Sequence, residues 1–163
     1  MIIEADKRLL LFRFSNYRRT DFLKEHSEII DKFGYTWMLK AGKRSSNQKI
    51  SGVMADGGIL ILRSPTGDGG KFYAAACSEF TEQSPDDGEP FPAYYTDYIR
   101  DLYDIPSFQW FKVKKLYAIA DDQLDKIVLH LTREKIVDVL KTTRTAVMFV
   151  DSTDTIELTE LRY

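Results

Sequence analysis

Two apolar segments, Ile59 to Arg63 and Lys71 to Phe80, flank the stretch Ser64-Pro65-Thr66-Gly67-Asp68-Gly69-Gly70. Three glycines, a proline and an aspartate in seven residues spell a turn, and the pair reads as a β-hairpin. A chain committed to antiparallel pairing at its middle is not a regular βαβ alternation, and no internal repeat is visible. The glycine-rich turn joins two strands and lacks the Lys-Ser/Thr pair of a phosphate loop, so it is read as a turn alone.

The other elements are short and interspersed. Arg8 to Phe14 reads as a strand, apolar at first and alternating at its end. After a polar break, Thr20 or Asp21 can cap a helix with Phe22, Leu23, His26, Ile29, Ile30 and Phe33 on one face, and Gly34 supplies its stop. Tyr35 to Lys40 is expected to be a strand, and Ala41 to Ser51 a polar, basic loop. Residues Thr81 to Pro92 form an acidic loop. Tyr94, Tyr95, Tyr98, Ile99, Leu102 and Tyr103 recur at helical spacing, and Pro106 separates that helix from a strand over Gln109 to Ile119. Asp121 to Leu124 reads as a turn leading to Ile127 to Leu131. Thr132 is expected to cap a helix to about Lys141, and Thr145 to Val150 to be a last core strand. Within residues 151–163, Thr155 to Leu158 either adds an edge strand or frays. The expectation is one α+β domain over residues 1–163, a mixed sheet of about six short strands curling into a partial barrel with flanking helices.

Composition narrows the class. The 163 residues are 44% hydrophobic and 29% charged, the balance of a globular domain. The longest apolar runs, Ile59 to Leu62 and Ala146 to Val150, are far too short to span a bilayer, and the first residues lack the pattern of a signal peptide. The lone Cys77 excludes an internal disulfide and sits among alanines, the setting of a buried, inert thiol. It suits a reducing compartment, so a cytoplasmic location is expected. Residues 1–75 carry thirteen Lys and Arg against eight acids, whereas residues 76–163 carry ten against seventeen. A basic rim, if present, comes mainly from the first half.

Catalytic signatures are missing from the sequence. The two histidines, His26 and His130, are far apart, and His26 lies on the buried helix face. No Cys-x-x-Cys, His-x-x-x-His or calcium-loop spacing occurs, so neither cofactor nor metal is expected. Asp86-Asp87 and Asp121-Asp122 read as solvated loop charge. Binding has better material. Tyr35-Thr36-Trp37 precedes a loop with Lys40, Lys43, Arg44 and Lys49, and Arg18 and Arg19 lie on the loop before it. An aromatic face beside cations is what an unstacked base and its phosphates require. The same residues are equally compatible with Trp37 in a core and the lysines on a solvated loop.

The order of segments resembles the YTH and EVE branch of the PUA-like superfamily. Phe12-Arg13-Phe14-Ser15-Asn16-Tyr17 is similar to that branch's opening strand and polar turn, and Gly34-Tyr35-Thr36-Trp37 to the segment that ends in a cage tryptophan. The hairpin through Ala74-Ala75-Ala76-Cys77 resembles its central hairpin. Phe111-Lys112-Val113-Lys114-Lys115-Leu116 and Asp122-Gln123-Leu124 resemble its closing strand and the stretch after it. The resemblance implies a non-catalytic domain that holds one flipped base, often methylated, of a DNA or RNA strand. Trp37 would stack on the base beside Met38, with Ser15, Asn16 and Tyr17 at the base edge. The second wall would come from Trp110 or from Tyr94, Tyr95 or Phe91. Arg18, Arg19, Lys43 and Arg44 would meet the phosphates. Unstacking costs a few kcal/mol, each stacked base returns roughly 1–3 kcal/mol, and a buried methyl adds about 0.8 kcal/mol. The alternatives are a protein-interaction module of the same fold, docking through its acidic second half, or a pocket for a nucleoside-like small molecule.

Overall fold

The computed structural model describes residues 1–102, 108–143 and 145–163. In chain order its strands and helices are β1 (Ile2–Ile3), β2 (Arg8–Arg13), α1 (Phe22–Phe33), β3 (Thr36–Ala41), α2 (Asn47–Ala55), β4 (Ile59–Arg63), β5 (Phe72–Thr81) and α3 (Tyr95–Asp101). They continue with β6 (Phe108–Ile119), β7 (Ile127–Leu129), α4 (Ile136–Thr142), β8 (Val147–Ser152), β9 (Ile156–Glu157) and β10 (Thr159–Glu160). Tyr103 and Pro106, expected at the end of the tyrosine helix and just after it, lie outside the described residues.

Residues Leu9 to Phe12 are four apolar side chains in a row, which suits a strand covered on both faces. Leu9 and Leu11 enter one core and Leu10 and Phe12 the other. β4 repeats the pattern beside it, in parallel, with Leu10 opposite Leu60 and Phe12 opposite Leu62. The parallel pairing requires a crossover, and α1, β3 and α2 supply it. Every other pairing of the eight-stranded sheet is antiparallel, in the order β10-β6-β5-β4-β2-β8-β7, with β3 also on β6. α1 and α2 cover one face through Phe22, Leu23, Ile50 and Val53. Leu124, Ile136 and Ile156 cover the other.

The expected barrel of about six strands gives way to an open sheet. The strand path does not close on itself among the described residues. β8 and β7 extend the sheet beyond β2, while the far edge of β6 is shared by β3 and β10. Curvature comes instead from two register shifts between β5 and β6, between Ala76 and Cys77 and between Cys77 and Glu79. Each bulge reverses which face the next side chain takes. Phe111 and Val113 therefore share a core with Leu116, while Tyr117 and Ile119 enter the opposite one.

Four further expectations are corrected. The stretch Ala41 to Ser51 holds the start of α2. Ser46 caps it, its hydroxyl oxygen accepting from the Lys49 amide at 3.5 Å, and Ile50 and Val53 are fully buried. Phe33, expected on the buried stripe of α1, is 51% exposed because Gly34 ends the helix beyond the edge of its packing. The last helix begins at Ile136, not at Thr132, because Arg133 has φ +64°, outside the helical range. Thr145 does not open a final strand: β8 starts at Val147, and the tail pairs twice more, Ile3 with Ile156 and Thr159 with Ala118. Where the turn before β4 meets β5, Gly58 has φ +69°, and a Cβ there would lie 2.3 Å from the Cys77 carbonyl oxygen. Gly58→Ala is expected to lower unfolding free energy by more than about 2 kcal/mol in urea titration, whereas Gly67→Ala, with open space around it, stays within about 0.5 kcal/mol.

Candidate nucleotide-binding cleft

At the end of β2 the chain turns out through Ser15 to Thr20, and Asn16 anchors the turn. Its Oδ1 accepts from the Phe22 amide at 3.1 Å, and its side-chain amide donates to Asp68 in the hairpin turn. Both functions of the Asn16 amide are thus engaged in holding the fold. Arg18 and Arg19 follow with φ +47° and +64°, a left-handed pair that non-glycine residues seldom adopt. This backbone carries the Tyr17 ring across to α3. The ring lies 6.1 Å from Tyr94, nearly parallel to it, and 4.9 Å from Tyr98. The Tyr17 hydroxyl donates to Asp101, as does the Arg18 guanidinium at 2.9 Å.

A cleft of about 70 Å³ runs between these elements, lined by Phe14, Ser15, Tyr17, Leu39, Tyr94 and Tyr98 among others. Its floor is set by a buried chain of hydrogen bonds. The Leu39 amide donates to the Tyr95 hydroxyl at 3.1 Å, and the Tyr95 hydroxyl donates to His26 Nε2. His26 Nδ1–H donates to the Phe22 carbonyl at 2.6 Å. Only a neutral imidazole can accept at Nε2 while donating at Nδ1. Complete burial agrees, since it lowers the His26 pKa to about 4. Burial also raises the Tyr95 and Tyr94 hydroxyls above the usual phenol range. The relay joins α1, β3 and α3, and so places the tyrosines.

Nearby, the Lys40 ammonium is buried. It donates to the Lys43 carbonyl at 2.7 Å and to Gln109 Oε1 at 3.0 Å, and desolvation lowers its pKa to about 8. Gln109 also accepts from the Ser45 amide and donates to the Ser45 carbonyl, so one glutamine holds the loop that carries Lys43 and Arg44.

The structure brings Ser15, Tyr17, Tyr94 and Tyr95 to one cleft, and the other expected contacts do not line it. Trp37, Met38 and Trp110 are 6%, 0% and 2% exposed. Trp37 and Trp110 face α3 in a small aromatic core with Leu39 and Tyr95, and Met38 points into the core beneath α1. Their apolar area serves packing, and the aromatic rings at the cleft are mainly the tyrosines. Arg44 makes a two-pronged contact with Glu82 at 2.7 and 2.9 Å and, with Asn47, holds that carboxyl down to about 2. Lys43 and Arg44 border a separate groove beside Val147 and Phe149. Arg19 is exposed and has no ion pair among the described residues. Tyr98 belongs to the cleft although only its place on the tyrosine stripe pointed to it. Arg13, also at the cleft, stands opposite Arg63 across the parallel pair. Burial, then the Arg13 charge, lowers the Arg63 pKa. Neither arginine has a carboxylate partner among the described residues. Cys77 is buried, and burial raises its thiol far above the usual range.

Comparison with family models, curated proteins and solved structures finds no match. No described helix is long and apolar enough to cross a membrane.

The relay has a consequence for acid stability. Between pH 4 and 6.5 the unfolded chain binds a proton at His26 that the folded protein does not. The stability from neutral His26 is complete above pH 6.5 and falls as pH drops toward 4. Urea midpoints measured from pH 7 to 4 are expected to report a loss on the order of 3 kcal/mol, and His26→Phe removes that component of the slope.

Proposed function

We propose that the chain is a non-catalytic nucleic-acid-binding domain of the PUA-like type that holds one unstacked base of a DNA or RNA strand at the tyrosine cleft. The convergence of Ser15 and Tyr17 with Tyr94 carries this reading, because residues from the turn after β2 and from the start of α3 meet at one opening. The PUA-like assignment rests on the order of a first strand, a following helix, a central hairpin and a long closing strand in a bulged, curved sheet.

At about 70 Å³ the cleft is smaller than the roughly 300 Å³ of ordinary small-ligand sites. Tyr17 therefore swings off Tyr94 and Tyr98 to admit a base, which takes its place against those rings. Tyr17 is half-buried and sits beside the left-handed Arg18-Arg19 turn, so its displacement costs a surface hydrogen bond to Asp101 and the ring contacts to Tyr94 and Tyr98, which the incoming base replaces. Arg13, Arg19 and Arg63 supply the phosphate contacts that Arg18 and Arg44, both ion-paired, do not. Ser15, exposed at the rim, reads the base edge.

Those same ion pairs favour a second reading, a protein-interaction module that uses the acidic face from Glu79 onward. Oligonucleotide anisotropy separates the two. At about 50 mM salt, where phosphate contacts are strong, the protein is expected to bind single-stranded DNA or RNA, with methylated bases as further probes. Tyr98→Ala should weaken binding about 5- to 150-fold, the equivalent of one lost stacking contact, while Tyr98→Phe binds as wild type. Absence of binding by the wild-type protein, or equal binding by Tyr98→Ala, would overturn the nucleic-acid reading.

A further inference from the structure

Another cavity opens toward the other end of β2, its Arg8 four residues, about 13 Å, along the strand from Phe12 of the tyrosine cleft. It measures about 340 Å³, within the roughly 300–1,000 Å³ of small-ligand sites. Leu129, Leu131 and Phe149 form its apolar walls, and Arg8, Lys49 and His130 its polar ones. Among the described residues, no carboxylate lines it.

The polar side is held in place from behind. His130 Nδ1–H donates to Asp151, its distances to the two carboxylate oxygens being 2.8 and 3.0 Å. That bond fixes the tautomer, so Nε2 is the acceptor for Arg8, whose guanidinium donates to it at 3.1 Å. Asp151 is 9% exposed, and its charge is met by Arg133 at 2.5 Å. Arg133 reaches it from a left-handed backbone with φ +64°, a conformation that the loop maintains against local preference. With Asp151 paired to Arg133, the Arg8 guanidinium makes no ion pair among the described residues. Lys49 is in the same position, its ammonium lying 5.6 Å from the Phe149 ring centre. Gly52 makes room for Arg8, since a Cβ there would come 2.7 Å from the guanidinium. At the mouth, Leu131 is 84% exposed, the most exposed large apolar side chain among the described residues.

Two unpaired cations, an oriented imidazole and an apolar recess specify complementary chemistry. We propose that this cavity is a binding site for a small organic anion with an apolar body, its carboxylate or phosphate-ester head on Arg8 and Lys49 and its body against Leu129, Leu131 and Phe149. With Arg8 bonded to Nε2, His130 positions the arginine. The site is independent of the reading given for the tyrosine cleft, because it shares no lining residue with that cleft.

Calorimetric titration of the whole protein with phenyl phosphate and with octanoate tests the site and distinguishes the two head groups. At least one of them is expected to bind more tightly than about 1 mM. Inorganic phosphate, phenol and octanol, which carry only half of the required chemistry, bind at least ten-fold more weakly. Leu131→Glu, on an exposed side chain, and Lys49→Glu weaken binding at least ten-fold without shifting the thermal midpoint. Gly52→Ala, which favours the helix but displaces the guanidinium, weakens binding while the protein stays folded. Failure of both anions to bind below about 1 mM, equal binding of the separate halves, or wild-type affinity in these variants would overturn the proposal.

Discussion

A strand with apolar side chains on both faces cannot rest against one layer. Leu9 to Phe12 in β2, matched by Ile59 to Leu62 in β4, impose that condition on the whole molecule. Each fully buried leucine or isoleucine stabilises the fold by about 2 kcal/mol only if both surfaces are kept dry. α1 and α2 therefore lie on one side, and α4, the turn around Leu124, Ile3 and the stretch Ile156 to Leu158 lie on the other. The parallel alignment of the two strands follows from the same demand, because their connection has to travel across a face and covers it on the way.

The ends of β2 are where this packing stops and polar chemistry begins. At one end the strand runs into Ser15 and the tyrosines. At the other, Arg8 gives its backbone amide to Asp56 and its guanidinium to His130. A central strand gives both sites a rigid base. The tyrosine cleft takes its shape from the His26–Tyr95 relay, and the opposite cavity takes its shape from Asp151. In each case a histidine orients a neighbouring group and is itself fixed by an oxygen acceptor at Nδ1.

Local signals carried much of the fold into the sequence. The α1 stripe with Asp21 before it and Gly34 after it, the glycine-rich hairpin turn and the four-residue apolar run of β2 each state their own structure. α2 escaped because Ile50 and Val53 are its only fully buried side chains in a stretch dominated by polar residues. Trp37 and Trp110 show a different limit: an aromatic residue on a strand reads the same whether α3 covers it or a cavity opens over it. Arg18 and Arg44 were legible as cations, but their partners lie 83 and 38 residues away, and such pairing leaves no local trace. The Arg8–His130 contact spans 122 residues and was invisible for that reason. The tyrosine cleft was legible in part, because Ser15, Tyr17 and Tyr94 each sit in a locally recognisable turn or helix start.

β2 completes its pairing only with β8, and the Lys7 amide bonds to the Ser152 hydroxyl 145 residues further on. During synthesis β2 thus emerges long before its second neighbour, β8. Until then it carries an open edge that any extended segment could occupy. Contacts of such separation also slow folding, since the loop must close before the pairing rewards it.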